Sequence, residues 1–409
     1  MELKDINEGL GAMLKVDPPW KITAIDVQPA NEVVDIHIDY DRGAMFECPE
    51  CGQRCKVHDS RRHRIRHLDW FQYRCYLNIQ VPRVKCKDHG VKVVSNLPWG
   101  YTGSHFSFFF EQRIMRLSQE MSMIAVAREV GESDRTLWRI FSGYVDRAIN
   151  EQMDLKAVNK IGVDETAIRR GHKYVTIFTD MDNGNVILVR EGRKKEVFKD
   201  LYSWLKEKGC DPENISLFSM DMSKSYKAGS KAYFSKSEVV FDRFHIKKAV
   251  NEAVDKVRKH EVRYCEDLKK TKYIWLKNEC NLNYHQKIKL NNFLAESTLD
   301  TAKAYQMKTG FDTLWNVQSR AVEPLLDTWM DRAIDSSLKP FKYLVNTIKN
   351  NYAGIIKSMK TGITNAAAEG LNSMVQMVKS RARGFRNLGN FMAMIYCLGN
   401  DFNFTFHRK

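Results

Sequence analysis

Two short pairs, Cys48-Pro-Glu-Cys51 and Cys86-Lys-Asp-His89, constrain the first quarter of this 409-residue chain more than any other feature. A two-residue spacer puts both donors of a pair on one tight turn, and two such turns from separate strands can converge on a tetrahedral Zn²⁺. The strand-like segment "WFQYRCYLNIQVPRVK" separates them. The nine cysteines are an odd number spread along the chain, which fits metal ligation or burial better than a disulfide framework. Cys55, four residues past the first pair, and Cys75, alternating with Tyr73 and Leu77 on a strand face, are spares that either supply a ligand in place of His89 or pack inside. Within the same module "SRRHRIRHLDW" gathers Arg61, Arg62, Arg64 and Arg66 with His63 and His67 into a cationic strip suited to phosphate contact. Taken alone, a solvated charge run is the commoner explanation of such a strip; the surrounding metal module favours a contact surface.

The strip agrees with the overall charge. Lys and Arg outnumber Asp and Glu by 65 to 50, so a polyanion, with nucleic acid foremost, is the expected partner. The most apolar stretches, "HFSFFF" and "NFMAMIYCLG", fall well short of the roughly 18–20 residues a membrane span needs. "MELKDINEGLGAMLK" has acids early and lacks the apolar core of a secretory signal, so a cytoplasmic, reducing setting is expected. At roughly 100–200 residues per domain, two to four domains are expected.

Three further regimes follow. "MSMIAVAREVGESDRTLWRIFSGYV" has helix, glycine turn, helix spacing, with Ile124, Ala125 and Val130 expected to pack on Leu137, Trp138 and Phe141. Ser133, Arg135, Thr136 and Arg139 then face outward on the second helix, either as a DNA-reading surface or as the outside of an ordinary helical hairpin. From Val158, "KIGVDETAI", "KYVTIFTDM" and "GNVILVREG" read as three antiparallel strands, the last two joined by a turn at Asn183-Gly184. "DMDNG" lacks the glycine position and bidentate Glu of a calcium loop, so it is read as that turn. Helix, strand, helix and strand follow, the order of an α/β sheet covered by helices. A polar helical stretch runs from Arg243 to about Tyr352, and a late amphipathic helix places Leu371, Met374, Val375 and Val378 on its apolar face. Glu369 is expected on the opposite, polar side.

Asp164 on the first of these strands, Asp221 at the end of the fourth and Glu369 on the late helix are candidate partners in a site. Carboxylates that meet repel one another unless cations lie between them. Oxygen-only donors suit Mg²⁺ or Mn²⁺, and two such ions about 3.5–4 Å apart support displacement at phosphorus. A lone Asp at a strand end is also a common cap or turn former, so spacing by itself leaves both readings open.

The motifs "GVDETAIRRGHKYVTIFTD", "SMDMSKSYKAG", "FDRFHIKKAVNEAVDKVR" and "TNAAAEGLNSMVQMVKSRARGFRN" together resemble the DDE transposases of the ISL-three group of bacterial insertion sequences. The two donor pairs, the helix-turn-helix and "GFRNLGNF" stand in the same order as in that family, so the likeness runs from about Phe46 to Tyr396. The resemblance implies an RNase H-like core with a helical insertion, and metal-dependent cleavage and strand transfer of double-stranded DNA at terminal inverted repeats. It places the catalytic Asp, Asp and Glu on Asp164, Asp221 and Glu369. It matches Asp242 and His245 to a motif that either supports the metals or contacts DNA; a strand-end Asp and a hydrogen-bonding His are the plainer alternative. The family commonly has four cysteines in its zinc module, and His89 departs from that pattern. Lys379, Arg381, Arg383 and Arg386, read as continuing the late helix, are expected to grip DNA near the scissile phosphate, or else to form a solvated helix end. Glu165 points to the other strand face.

The implied divisions are an amino-terminal segment (1–45), a zinc module (46–100), a helix-turn-helix (101–155), the first part of the core (156–242), the helical insertion (243–352) and the last part of the core (353–409). Synapsis of two DNA ends calls for a homodimer or larger assembly. The rival functions are a domesticated DNA-binding regulator and an RNase H-like structure-specific nuclease.

Overall fold

The computed structural model describes residues 6–168, 174–295, 298–363 and 366–404, without the side chains of 6–8 and 366–369. The chain forms two compact units, residues 1–148 together with the chain end from Phe402, and Ile149–Asp401.

The first unit opens with helix α1 (Ile6–Leu14) and strands β1 (Trp20–Gln28), β2 (Val33–Tyr40), β3 (Met45–Glu47), β4 (Arg54–Arg66), β5 (Arg74–Cys86) and β6 (Gly90–Val93). They make one sheet of order β1-β2-β5-β4-β3, with β6 on the edge of β5. β5 is its central strand, flanked by β2 and β4, and its apolar side chains Cys75, Leu77, Ile79, Val81, Val84 and Cys86 are buried. Trp20 meets Phe46 at 5.2 Å and Trp99 at 5.4 Å between ring centroids, which ties both ends of the module to one aromatic core. A small ribbon of β7 (Asn96–Leu97) and β8 (Gly100–Tyr101) leads to helices α2 (Phe108–Glu120), α3 (Met123–Val130) and α4 (Asp134–Gln152). Gly131 closes α3 in the left-handed region, φ +67°, where a side chain would be strained. Ser133 then caps α4 by accepting the Thr136 amide at 3.2 Å.

The second unit carries β9 (Lys160–Ala167), β10 (Tyr174–Asp180), β11 (Val186–Glu191), α5 (Glu196–Glu207), β12 (Leu217–Met220), α6 (Lys224–Tyr233) and β13 (Glu238–Phe241). The sheet order is β11-β10-β9-β12-β13. β10 is antiparallel to both neighbours, while β9, β12 and β13 run parallel. This is the mixed sheet of the expected RNase H-like core, and the Asn183-Gly184 turn lies between β10 and β11, as its dipeptide predicts. Phe178, Phe198 and Phe218 fill the face under α5 and α6, with ring centroids 5.4 and 5.6 Å apart. Among the described residues the insertion contains helices and no strand: α7 (Arg243–Glu261), α8 (Lys272–Leu276), α9 (Tyr284–Ala295), α10 (Asp300–Thr313), α11 (Val322–Asp335) and α12 (Lys339–Lys349), followed by α13 (Tyr352–Thr361). The chain returns to the sheet through α14 (Ala366–Arg381) and α15 (Leu388–Leu398).

Two expectations of helix phase fail. Ile124 is 54% exposed, and Met123, Val126 and Val130 supply the buried stripe of α3 instead. Met374 is likewise exposed, leaving Leu371, Val375 and Val378 as the apolar line of α14.

A Cβ on Gly354 would stand 2.6 Å from the buried ring of Phe241 and 3.1 Å from the Val239 carbonyl. Neither can yield, so Gly354→Ala should destabilise the second unit by roughly 1–3 kcal/mol from overpacking, more than the roughly 1 kcal/mol that Ala gains over Gly in a helix. A lower urea midpoint at unchanged m-value is expected. His67 offers a pH test: burial, helped by Arg66, holds its imidazole down at about 4. It is therefore neutral in the folded state while the unfolded chain takes up a proton near pH 6.5. Stability contributed by the neutral ring should be full above that pH and fall as pH drops from about 6.5 toward 4. His67→Asn should flatten this slope in denaturation midpoints measured across that range.

Candidate metal and DNA sites

Cys48 follows β3, Cys51 ends the turn whose Gly52 amide donates to the Cys48 carbonyl at 2.9 Å, and Cys86 ends β5 before the turn to β6. The ligand atoms of Cys48, Cys51, Cys86 and His89 all lie within 4.8 Å of one another. Cys51 Sγ is 3.7 Å from Cys86 Sγ, and His89 Nδ1 is 3.6 Å from Cys86 Sγ. Two thiolates at about 2.3 Å from one tetrahedral ion would stand roughly 3.8 Å apart, so the donor set fits Zn²⁺ in both chemistry and spacing. His89 is thus the fourth donor, and its Nε2 faces Glu50 at 3.6 Å, which is itself held by Lys92 at 2.5 Å. Such a carboxylate behind a ligand imidazole orients the ring. Cys55 instead donates to the Gln53 carbonyl at 3.4 Å, and Cys75 is buried in the sheet core.

The arginine strip divides. Arg61 and Arg62 are exposed. Arg64 donates to Asp35 at 2.9 and 3.2 Å and lies 3.6 Å over the Tyr76 ring. Arg66, expected in the outward strip, is 3% exposed and paired with Asp69. Its inward turn follows from the anion and the Tyr76 and Phe110 rings that surround it. On α4, Arg135 and Arg139 are exposed as expected.

In the second unit the parallel register decides the site. Ser219 pairs with Gly162 of β9 and with Val240 of β13. Two residues further along the same direction are Asp164, Asp221 and Asp242, which therefore sit at one level, Asp164 within β9 and Asp221 and Asp242 just past the carboxy-terminal ends of β12 and β13. The Asp242 amide donates to the Met220 carbonyl at 3.0 Å, carrying the ladder to this level. Asp242 is buried and caps α7 by accepting the Phe244 amide at 2.9 Å, and His245 stands on the first turn of that helix. Burial raises the Asp164 carboxyl above its ordinary range and nearby Asp242 raises it further, while the Glu165 amide, His245 and Asn372 pull it down. Among the described residues the aspartates do not close to the spacing of the Cys3His group. Carboxylate oxygens at one sheet edge nevertheless form the hard donor set that Mg²⁺ or Mn²⁺ takes.

Helix α14 lies along β9: Asn372 donates to Asp164, Gln376 to Thr166 at 3.0 Å, and Lys379 to the Ala167 carbonyl. Glu369 falls one turn before Asn372 on this helix; its side chain lies outside the described residues. Lys379, expected to reach DNA, is held against the strand, and burial lowers its pKa. The helix stops at Arg381, so Arg383 and Arg386 lie in the turn before α15 rather than on a continued helix. All three of these arginines are exposed. Glu165 faces the other side of β9, beside Arg193 at 3.7 Å, and no spacing in the sequence draws it toward the site. Burial raises its carboxyl against the pull of Arg193, and Asp221 and Asp164 add to the rise, so its charge is felt by both aspartates.

A Cys3His module, a helix-turn-helix and a mixed sheet with acids at one level of its parallel strands together define a DNA-binding protein with a nucleic-acid-processing core. A family profile described as "Transposase" matches residues 161–395, one described as "zinc-finger of transposase IS204/IS1001/IS1096/IS1165" matches 45–89, and one described as "Helix-turn-helix domain of transposase family ISL3" matches 96–145. The chain belongs to the ISL3 family of DDE transposases. It is 24% identical over 358 residues to the transposase for insertion sequence element IS1001 of Bordetella parapertussis, covering 85% of this chain and 87% of that one. It is also 23% identical over 381 residues to the transposase for insertion sequence element IS1557 of Mycobacterium tuberculosis strain H37Rv, covering 83% and 82%. Among the described residues no helix is long and apolar enough to cross a membrane.

Cys86→Ser should lose the bound metal and lower the melting temperature of the first unit, whereas Cys55→Ser should keep the metal. Metal content of the two purified variants, with near-ultraviolet circular dichroism of the Trp20 and Trp99 cluster, checks the assignment.

Proposed function

We propose that this transposase binds the terminal inverted repeats of its insertion sequence and performs end cleavage and strand transfer at one site built from Asp164, Asp221 and Glu369. The alignment of Asp164, Asp221 and Asp242 at one level of three parallel strands is the observation that carries this reading. The placement of Glu369 on α14, the helix that bonds Asp164 through Asn372, supports it. The Cys3His group is read as a structural Zn²⁺ site. Two Mg²⁺ or Mn²⁺ ions, held by the three acids, would supply nucleophile activation and charge neutralisation at phosphorus.

The chain's own residues orient the reaction. Asn372 and the Glu165 amide, the latter at 2.7 Å, turn the Asp164 carboxylate and oppose the rise that burial imposes on its pKa. Asp242, fixed as the cap of α7, and His245 flank the acids, where His245 partly offsets their negative charge. In cleavage a water oxygen forms a bond to phosphorus as the bond to the 3′ oxygen breaks; the water gives up a proton and the leaving 3′ oxygen takes one up. In transfer that 3′ hydroxyl attacks a phosphodiester of target DNA and displaces a second 3′ oxygen. Both are in-line displacements, so one site serves twice without a covalent protein intermediate. Arg135 and Arg139 on α4 read the repeat, and Arg61, Arg62, Arg381, Arg383 and Arg386 contact backbone phosphates. Joining two ends calls for a dimer or larger assembly.

Asp164→Asn should abolish Mg²⁺-dependent cleavage of labelled transposon ends while leaving end binding within about twofold; retained cleavage would remove the acid from the site. Arg135→Ala should weaken binding to the repeat by about 1–3 kcal/mol if it contacts a base edge. The loss is read as a change in Kd at fixed salt, against a smaller loss on unrelated DNA.

A further inference from the structure

We propose that a lysine-lined groove along α7 holds the sugar-phosphate backbone of the DNA segment that runs away from the catalytic acids. This rests on the transposase reading and assigns a role to the helical insertion. The groove encloses about 550 Å³ between α7 and α8, and Lys247, Lys248, Lys256, Lys259 and Lys272 line it against only two acids, Glu252 and Asp255.

The acids do not cancel this charge. Asp255 is buried and already holds Arg258 at 2.6 Å and Lys259 at 3.0 Å, so it counts against cations of its own helix. Lys247 is paired with Asp312 at 2.8 Å. Lys248, Lys256 and Lys272 are exposed and line the groove, where Glu252 is the remaining lining acid. The α8 wall is rigid, because buried Lys308 donates to the carbonyls of Trp275, Leu276 and Lys277 at 2.9–3.1 Å. These carbonyls close the end of α8, so Lys308 both caps that helix and holds Lys272 opposite α7.

Direction supplies the second argument. α7 begins at Asp242, on the aspartate level, and Phe244, 58% exposed, forms the mouth of the groove at the helix's first turn. Lys259 is seventeen residues further along, about 26 Å at about 1.5 Å per residue, which matches seven or eight base pairs at about 3.4 Å each. A backbone whose scissile phosphate lies at the acids therefore meets Lys248 on α7 and then, two turns further along the same helix, Lys256. A track of separated cations along a helix suits a polyanion more than a small anion, which would need one closed cradle.

The test uses the full-length protein carrying Lys248→Ala, Lys256→Ala and Lys272→Ala together. For a duplex of about thirty base pairs without the terminal repeat, each phosphate that no longer meets a lysine should reduce the slope of log K against log salt by about 0.9, so a decrease of about 2–3 is expected. On DNA carrying a transposon end, hydroxyl-radical protection should disappear over the segment beyond the cleavage point and persist over the repeat. An unchanged slope with unchanged flank protection overturns the proposal. Lys256→Gln alone, at an exposed helical position, should lower the slope by about 0.9 and guards against misfolding of the triple variant. Wild-type end cleavage is assayed separately: its absence would overturn the catalytic reading, while the slope would still decide the groove.

Discussion

Three neighbouring strands that point the same way bring an aspartate each to one level, and the second unit is arranged around the cost of that placement. Neighbouring strands lie about 4.8 Å apart, so carboxylates at one level repel strongly in a half-buried setting. The chain offsets this with groups of fixed geometry. Asp242 becomes the cap of α7, where the helix's amino-terminal dipole favours an anion. Asp164 accepts from the Glu165 amide and from Asn372, and His245 stands close enough to lower its pKa. Charge that is compensated only partly by neutral donors remains available to cations, and a transposase core needs such a residue of unmet negative charge.

The insertion makes sense from the same starting point. Because α7 grows directly from the aspartate level, the segment that leaves the sheet for about a hundred residues begins as an extension of the site. Its cations lie on one exposed side of α7, while Ile246, Val250, Val254 and Val257 bury the other. α13 then returns to β13 with Gly354 pressed on Phe241, and the close approach keeps that strand, and hence Asp242, in register.

In the first unit metal and aromatic packing share the work that a small sheet cannot do alone. The Cys3His group joins the turn after β3 to the end of β5, and Trp20, Phe46 and Trp99 fill the space beside it. Arginines that look equivalent in "SRRHRIRHLDW" then take different parts: Arg66 is buried against Asp69, Arg64 stays exposed while bound to Asp35, and Arg61 and Arg62 are exposed. Strand alternation sends neighbours to opposite faces, but the partners that capture a long side chain come from other strands and leave no local signal.

Much was legible because it is local. A two-residue spacer between metal donors, Asn-Gly at a hairpin, a glycine ending α3 and the alternation of strand and helix periods are each set by a few adjacent residues, and each appears where those residues stand. Helix phase was less legible: in α3 and α14 a one-residue difference in the buried stripe exposed Ile124 and Met374, since short amphipathic patterns admit two phases and the neighbouring surface selects one. The sequence by itself determined the order of modules, the two donor pairs and the positions of the acids along the chain; the choice of His89 over Cys55 and Cys75 as fourth donor came from the geometry. Only the tertiary structure decided that Asp242 stands level with Asp164 and Asp221, that α14 runs along β9, and that Arg66 and Lys379 turn inward. Register between strands far apart in the chain, and the capture of a flexible cation by a distant oxygen, are properties of packed surfaces rather than of any segment.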